Sequence, residues 1–229
     1  TLREVTGIGL ARAENLVEAT QNQDVFVEVS GILKACAASL LKVCADLRLM
    51  ASGPEAGLGE IRLPPVQEGS SIMPGKVNPV IPEAVSQAAM LVIGYDQVIA
   101  MACANGNLEL NPFLPLVAYA LLDSITLLTN ACRLFRTRCV EGIEAVETRC
   151  REHVEGSTAL VTALVPVLGY SKASAVARQA ADTGKSIRQI CLEEGLLTKE
   201  QFEDLISPEA VCRLGMPDAV FYRQNQEGR

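Results

Sequence analysis

The sequence predicts an all-α protein in which part of a long-helix bundle precedes a smaller helical domain. Long stretches repeat apolar residues about every 3.6 positions, as amphipathic and buried helices do. The 229-residue chain is 49% apolar but only 4% aromatic, and it contains no Trp. A core of Ala, Leu, Val and Ile therefore has to form, and such residues suit closely packed helices.

The first long helix is expected to begin at Asp24, a predicted N-cap, and to end before Gly53-Pro54. Strand-like alternation is missing from this stretch. Its periodic apolar positions are Val25, Val29, Ile32, Leu33, Cys36, Leu40, Cys44 and Leu47. Lys34, Lys42 and Arg48 are predicted to lie on its polar face.

Residues 52–79 interrupt the helical pattern with repeated Gly and Pro. So long an irregular segment within a helical protein is usually functional. Helix is predicted again over 80–104, where Pro82 and Glu83 occupy the first turn and Gly106 follows the end.

A further helix is predicted over 112–140 and is apolar on most of its faces. Asp96, Gln97, Asp123 and Asn130 interrupt the apolar runs of the two later helices before about 20 residues accumulate, which disfavours a membrane span. One short chain has little to cover so much apolar surface, so we expect a homo-oligomer.

Shorter helices with clear end signals are expected after Gly142. Thr198 and Gln201 form a predicted capping box, Gly195 a helix stop, and Ser207-Pro208 a cap followed by an N1 proline. We therefore predict a helical-bundle domain over 1–142 and a small helical C-terminal domain over 143–229.

Composition excludes several classes of protein. The 27 acidic and 20 basic residues give a net charge of −7, which is unsuited to binding nucleic acid. The eight cysteines contain no C-x-x-C pair and His153 is the single histidine, so a zinc site is not predicted. We expect reduced cysteines in a cytoplasmic protein, with the pairs Cys36/Cys44 and Cys132/Cys139 each on one buried face.

The irregular segment ends in an unusual run, Gly69-Ser70-Ser71-Ile72-Met73-Pro74-Gly75-Lys76-Val77-Asn78-Pro79. Small residues leave successive amide N–H groups accessible, and such groups can hold an oxyanion. Lys76 can attract a carboxylate, and Asn78 can donate and accept hydrogen bonds. A Gly-Ser-Ser stretch by itself is commonly a flexible linker, but the Met-Pro-Gly-Lys-x-Asn-Pro that follows argues against one.

This run resembles the signature loop of the aspartase/fumarase superfamily, G-S-S-x-M-P-x-K-x-N-P. The flanks Ser52-Gly53-Pro54, Gly57-Leu58-Gly59-Glu60 and Gly106-x-x-Glu109-Leu110-Asn111 resemble the family too. The resemblance covers nearly the whole chain and corresponds to the later half of a family member. Because the sequence does not begin with Met, we expect it to be a piece of a longer protein.

The resemblance implies roles for individual residues in the elimination of a group from a succinate-like substrate. Ser70 would be the general base. Loop amides of Ser71, Ile72 and Met73 would contact substrate, Gly69 would support the loop, and Lys76 and Asn78 would bind carboxylate. Glu83 matches a carboxylate that pairs, in this family, with a histidine of another subunit, although a helix N-terminus also favours an acid.

The stretches 78–85 and 183–188 look more like those of aspartate ammonia-lyases than those of class II fumarases. The resemblance therefore implies a homotetramer that converts L-aspartate reversibly to fumarate and ammonia. A class II fumarase acting on L-malate and a non-catalytic helical assembly module are the alternatives. No cofactor is implied; some aspartases are activated by divalent metals, but the sequence shows no cluster of metal ligands.

Two substrate-binding segments that family members carry earlier in the chain are not recognisable in this sequence. We therefore expect these 229 residues alone to have little or no lyase activity. Gly184-Lys185-Ser186 resembles the end of a phosphate-binding loop, but Gln179 stands where that motif requires glycine, so a helix start is predicted instead.

Overall fold

The structure, a computed structural model, describes residues 2–53, 56–67, 77–157, 160–207 and 210. Those residues confirm the predicted all-α class and form two compact units, one as far as Ala145 and the other from Val146. The helices are α1 (Leu2–Thr6), α2 (Leu16–Gln21), α3 (Asp24–Met50), α4 (Val80–Ala104), α5 (Leu114–Arg138), α6 (Glu147–Gly156), α7 (Leu160–Leu168), α8 (Tyr170–Thr183), α9 (Ile187–Glu193) and α10 (Lys199–Leu205). The functional division into domains 1–142 and 143–229 stays a prediction.

The three long helices form the core of the first unit. α4 runs antiparallel to both α3 and α5, since three buried clusters follow one another along the helices. These clusters contain Leu47, Ile81 and Phe135 at one end, Ala37, Val92 and Leu128 in the middle, and Ile99, Ala102 and Val117 at the other end. Small side chains such as Ala37 and Ala102 at these contacts let the helix backbones approach closely.

The bounds of α4 agree with the prediction, and α5 is two residues shorter than predicted at each end. The predicted N-cap of α3 is wrong. Gln23 precedes the helix, and Asp24 is its first residue, with a carboxylate in the first turn where the helix dipole favours negative charge.

A short antiparallel ribbon closes one end of the first unit. Its strands β1 (Ile61–Arg62) and β2 (Glu144–Ala145) pair Ile61 with Ala145 and Arg62 with Glu144. A single-turn 3₁₀ helix, Val140–Gly142, leads from α5 towards β2. The absence of a Cβ at Gly142 matters there, because a methyl group would lie 2.6 Å from Cγ of Pro64.

A charged pair lies inside the first unit and corrects the assignment of Lys34 to a simple polar face. Asp96 on α4 is only 4% exposed. Its carboxylate accepts hydrogen bonds from Ser30 Oγ at 2.8 Å and from Lys34 Nζ at 2.6 Å, both on α3. Burial alone would raise the pKa of Asp96, but these hydrogen bonds and the Lys34 charge hold it below its usual value.

Many apolar side chains of the long helices are exposed in the single chain. They include Val25, Ile32 and Leu49 on α3, Met90, Leu91 and Met101 on α4, and Tyr119 and Leu122 on α5. By length and composition alone, the stretches Val80–Ala104 and Leu114–Gly142 could each cross a membrane. However, α4 packs against α3 and α5 along its length, as a core helix of a bundle does.

The second unit has its own core, centred on the buried Leu164, Ile190 and Phe202. The predicted capping box is confirmed, since Thr198 Oγ1 accepts from Gln201 N and the Gln201 side chain accepts from Thr198 N. Gly195 has φ 63°, a left-handed conformation that suits the end of α9. Arg188 ties three helices together through 2.8 Å contacts with Glu155 on α6 and Glu203 on α10.

The prediction that each cysteine pair lies on a buried face is wrong for one member of each pair. Cys44 and Cys139 are buried, but Cys36 and Cys132 are exposed. Cys36 and Cys44 are eight residues apart on α3, slightly more than two turns, and Cys139 lies just beyond the last residue of α5. The two members of each pair therefore meet different neighbours. Cys36, Cys44, Cys103, Cys132, Cys139 and Cys191 are free thiols, and Cys191 is buried in the core of the second unit.

Candidate active site

The structure describes two of the predicted site residues, Asn78 and Glu83. The other six lie outside the described residues, and their roles stay predictions; these are Gly69, Ser70, Ser71, Ile72, Met73 and Lys76. The structure does describe the residues on both sides of this segment, which hold its two ends in place.

Ser52 organises the approach to the segment. Its hydroxyl donates to Leu49 O at 2.6 Å and accepts from Leu58 N at 3.1 Å. Its carbonyl accepts from Gly59 N at 2.8 Å, and Met50 O accepts from Glu60 N at 2.9 Å. These bonds fold the chain back onto the end of α3 and direct it into β1.

Gly57 makes this close return possible. A Cβ at that position would lie 2.3 Å from the carbonyl carbon of Ser52, so any other residue would push the two backbone segments apart. Ser52 and Gly57 belong to a flank that resembles the family in sequence. Their contacts fix the end of α3 relative to β1.

On the other side of the segment, Asn78 leads directly into α4. The half-buried Asn78 accepts a hydrogen bond at its backbone oxygen from Val80 N at 2.9 Å, and Pro79 O accepts from Glu83 N at 3.2 Å. Pro82 is buried in the first turn, where a missing N–H costs no helical hydrogen bond. Asn78 and Glu83 are therefore attached to the rigid start of a 25-residue helix.

Glu83 faces a cation across the helix pair. Its Oε1 lies 4.0 Å from Nη2 of Arg48, and the side chains of Arg48 and Glu83 are 48% and 40% exposed. Below this pair, Cys44 and Ser86 share a side-chain hydrogen bond. Burial raises the pKa of the Cys44 thiol, although Ser86 and the Arg48 charge partly oppose that rise. A buried, protonated thiol is an inert packing group.

Asn111 has a structural role that the sequence analysis did not assign. Its amide donates to Ala102 O and Cys103 O, each at 3.1 Å, and its Oδ1 accepts from Phe113 N at 2.9 Å. It therefore satisfies the end of α4 and the start of α5 together. The signal in the sequence is an Asn placed between two apolar helical runs.

The other sequence candidates have structural roles. Ser186 caps α9 in a capping box with Gln189, so Gly184-Lys185-Ser186 begins a helix as predicted. His153 lies half-buried on α6. Among the residues that the structure describes, no three His, Cys, Asp or Glu side chains are grouped so as to hold a metal ion.

Comparison with known proteins identifies the family. A family model described as "Lyase" matches residues 1–94, and one described as "Fumarase C C-terminus" matches residues 160–213. Over 208 residues the chain is 51% identical to the aspartate ammonia-lyase of Helicobacter pylori, covering 91% of this chain and 44% of that protein. The chain belongs to the aspartase/fumarase superfamily.

Solved structures of the aspartase/fumarase superfamily share the fold. A fumarate lyase:delta crystallin from Brucella melitensis superposes with a TM-score of 0.83 at 48% identity, over 90% of this chain and 46% of that one. A class II fumarase from Schistosoma mansoni gives a TM-score of 0.77 at 33% identity, over 89% of this chain and 44% of that one. The chain thus spans less than half the length of each of these superfamily members.

Proposed function

We propose that this chain is part of an ammonia-lyase that converts L-aspartate reversibly to fumarate and ammonia. The observation that carries the proposal is the 51% identity, over 208 residues, with an aspartate ammonia-lyase. The whole signature run of residues 69–79 is also intact in the sequence. The substrate class is a small dicarboxylate.

In the proposed mechanism, Ser70 removes the proton from the carbon beside one carboxylate. A serine hydroxyl is too weak a base to do so unaided. Backbone amides of the loop and the Lys76 charge would stabilise its anionic form. Removal of the proton places extra negative charge on the neighbouring carboxylate, and this electron pair forms the C=C bond as the C–N bond breaks and ammonia leaves. Lys76 and Asn78 would bind the extra charge more strongly in the transition state than in the ground state.

The framework of the first unit supports the assigned roles of Asn78 and Glu83. Asn78 lies two residues before α4 and Glu83 lies in its first turn. The buried residues Ile81 and Val85 of this helix pack beside Leu47 of α3. Groups held by a packed helix lose little orientational freedom when substrate binds, which is what a carboxylate-binding amide needs.

Substitution of the proposed base provides the decisive test. We expect the full-length protein that contains this chain to release fumarate from L-aspartate, followed by ultraviolet absorbance, and Ser70→Ala to lose nearly all of this activity. Ser71→Ala is the matched control, because it changes the neighbouring hydroxyl and retains the amide. Unchanged elimination by Ser70→Ala would reject the base assignment. No elimination by the unsubstituted full-length protein would instead favour a non-catalytic assembly module.

A class II fumarase is the second candidate, because the fumarase of Schistosoma mansoni is also similar over most of this chain, at 33% identity. Parallel assays with L-malate and L-aspartate discriminate between the two. Fumarate formed from L-malate alone would replace the ammonia-lyase proposal with the fumarase.

We further propose a cytoplasmic homotetramer with no nucleic-acid or membrane partner. The exposed apolar faces of α3, α4 and α5 support assembly, since such faces need partners in water. We also propose that the 229 residues alone have little or no activity. A monomeric full-length protein in light scattering would contradict the first proposal, and robust turnover by the isolated chain the second.

A further inference from the structure

Arg48 and Glu83 meet where the end of α3 faces the start of α4. The distance between Arg48 Nη2 and Glu83 Oε1 is 4.0 Å. Directly beneath them, Leu47, Ile81 and Val85 are buried in one cluster, with at most 9% exposure each. The two backbones therefore cannot separate without breaking the core, which keeps the two side chains within reach of each other.

The backbone that carries Arg48 is also restrained on its C-terminal side. The bonds of Ser52 and Met50 to residues 58–60 tie the end of α3 to the chain that enters β1. The Arg48 side chain thus starts from a backbone restrained on two sides. This placement is more restrained than that of an arginine on a free helix end.

The distance between Arg48 and Glu83 indicates which type of interaction joins them. A separation of 4.0 Å exceeds the range of a direct hydrogen bond, so the interaction is an electrostatic one. Among the described residues, the Glu83 carboxylate accepts no side-chain hydrogen bond. It therefore keeps its capacity to accept hydrogen bonds.

We infer that Arg48 is a positioning residue for Glu83 in the lyase reaction, which holds the carboxylate at the start of α4 as an oriented acceptor for a further donor. The inference rests on the proposed function, since it assigns Arg48 an effect on turnover. Arg48 acts only through Glu83 and does not contact substrate. A purely stabilising role as a cation at the end of α3, favoured by the helix dipole, is the competing explanation.

The test is a double-mutant cycle in the full-length protein, with kcat and KM for L-aspartate and the melting temperature measured for every variant. Arg48→Met should lower kcat roughly tenfold and leave KM within about twofold, below the ~100-fold loss that a 1 Å misplacement can cause. Arg48→Lys should restore most of kcat because it restores the charge. In a Glu83→Gln background, Arg48→Met should have no further effect.

Arg136→Met is the matched control, because Arg136 forms an exposed ion pair with Glu141 at 3.4 Å elsewhere in the same unit. It should change neither kinetic constant. Arg48→Gln serves as a second neutral variant, in case Arg48→Met fails to assemble.

Three outcomes would overturn the inference. Additive losses in the cycle would show that Arg48 acts independently of Glu83, and a rise in KM alone would show that Arg48 contacts substrate. A loss of kcat that follows the melting temperature and is not rescued by Arg48→Lys would show a merely structural role. If the unsubstituted protein releases no fumarate, the proposed function itself fails, which is a different result from normal turnover with an unresponsive Arg48.

Discussion

Removing the positive charge of Lys34 is expected to destabilise the first unit more than removing the negative charge of Asp96. The side chain of Lys34 is 43% exposed, whereas that of Asp96 is 5% exposed. In Lys34→Met, a buried carboxylate loses its cation and retains two neutral donors, Ser30 Oγ at 2.8 Å and Gln97 Nε2 at 3.5 Å. In Asp96→Asn, the lysine can turn its ammonium into water, and the new amide oxygen can still accept from Ser30.

The expected losses in the free energy of unfolding follow from the difference in exposure between Lys34 and Asp96. Leaving a fully buried charge unpaired costs about 3–5 kcal/mol, and the half-exposed lysine reduces the value for this pair. We therefore expect Lys34→Met to lower the free energy of unfolding by about 2–3 kcal/mol and Asp96→Asn by about 1 kcal/mol. Lys42→Met is the control on the same helix. Its exposed pair with Asp46 contributes about 0.5 kcal/mol or less.

The assay is urea unfolding followed by far-UV circular dichroism, because the chain contains no Trp for fluorescence. The sign of the pH dependence follows from the lowered pKa of Asp96. The contribution of the Asp96 carboxylate to the free energy of unfolding is complete above the unfolded pKa of about 3.9. This contribution is lost as the pH falls through the lower native pKa. The difference between the unsubstituted chain and Asp96→Asn should therefore disappear only in strong acid.

Two results would refute the reasoning. The first is a larger loss of stability in Asp96→Asn than in Lys34→Met. The second is a difference between Asp96→Asn and the unsubstituted chain that disappears well above pH 3.9, since the carboxylate would then not be stabilised by its partners.

Three further predictions concern both units. Hydrogen bonds with Tyr119 and Asp123 raise the pKa of Tyr95 to about 12, so Tyr119→Phe should lower the midpoint of tyrosinate formation in an ultraviolet titration; an unchanged midpoint would contradict this. Arg188→Met should destabilise the second unit by about 1–2 kcal/mol in urea, and Arg188→Lys should recover only part, because one ammonium cannot copy a guanidinium that contacts two carboxylates. Thr198→Ala should cost about 1 kcal/mol in thermal unfolding, whereas Thr198→Ser should cost little; equal losses would exclude capping as the cause.

The sequence predicts the type of ligand that the candidate site would bind, but it predicts only part of the site's geometry. The residue types of the signature run, with a cation at Lys76 and an amide at Asn78, indicate carboxylate binding from sequence alone. The contact between Glu83 and Arg48 was not predictable, because it joins residues 35 positions apart on two helices whose relative rotation depends on the packing of the core.

Local signals in the sequence determined the bounds of α4 and the cap of α10. Val80–Ala104 and the capping box of Thr198 follow from apolar period, proline placement and side-chain capping, all of which act within a few residues. Only the tertiary structure decided that Lys34 meets a buried Asp96 and that Cys36 is exposed while Cys44 is buried. A helical period defines a stripe of residues along one helix, but the side of that stripe which is buried depends on the neighbours that distant parts of the chain provide.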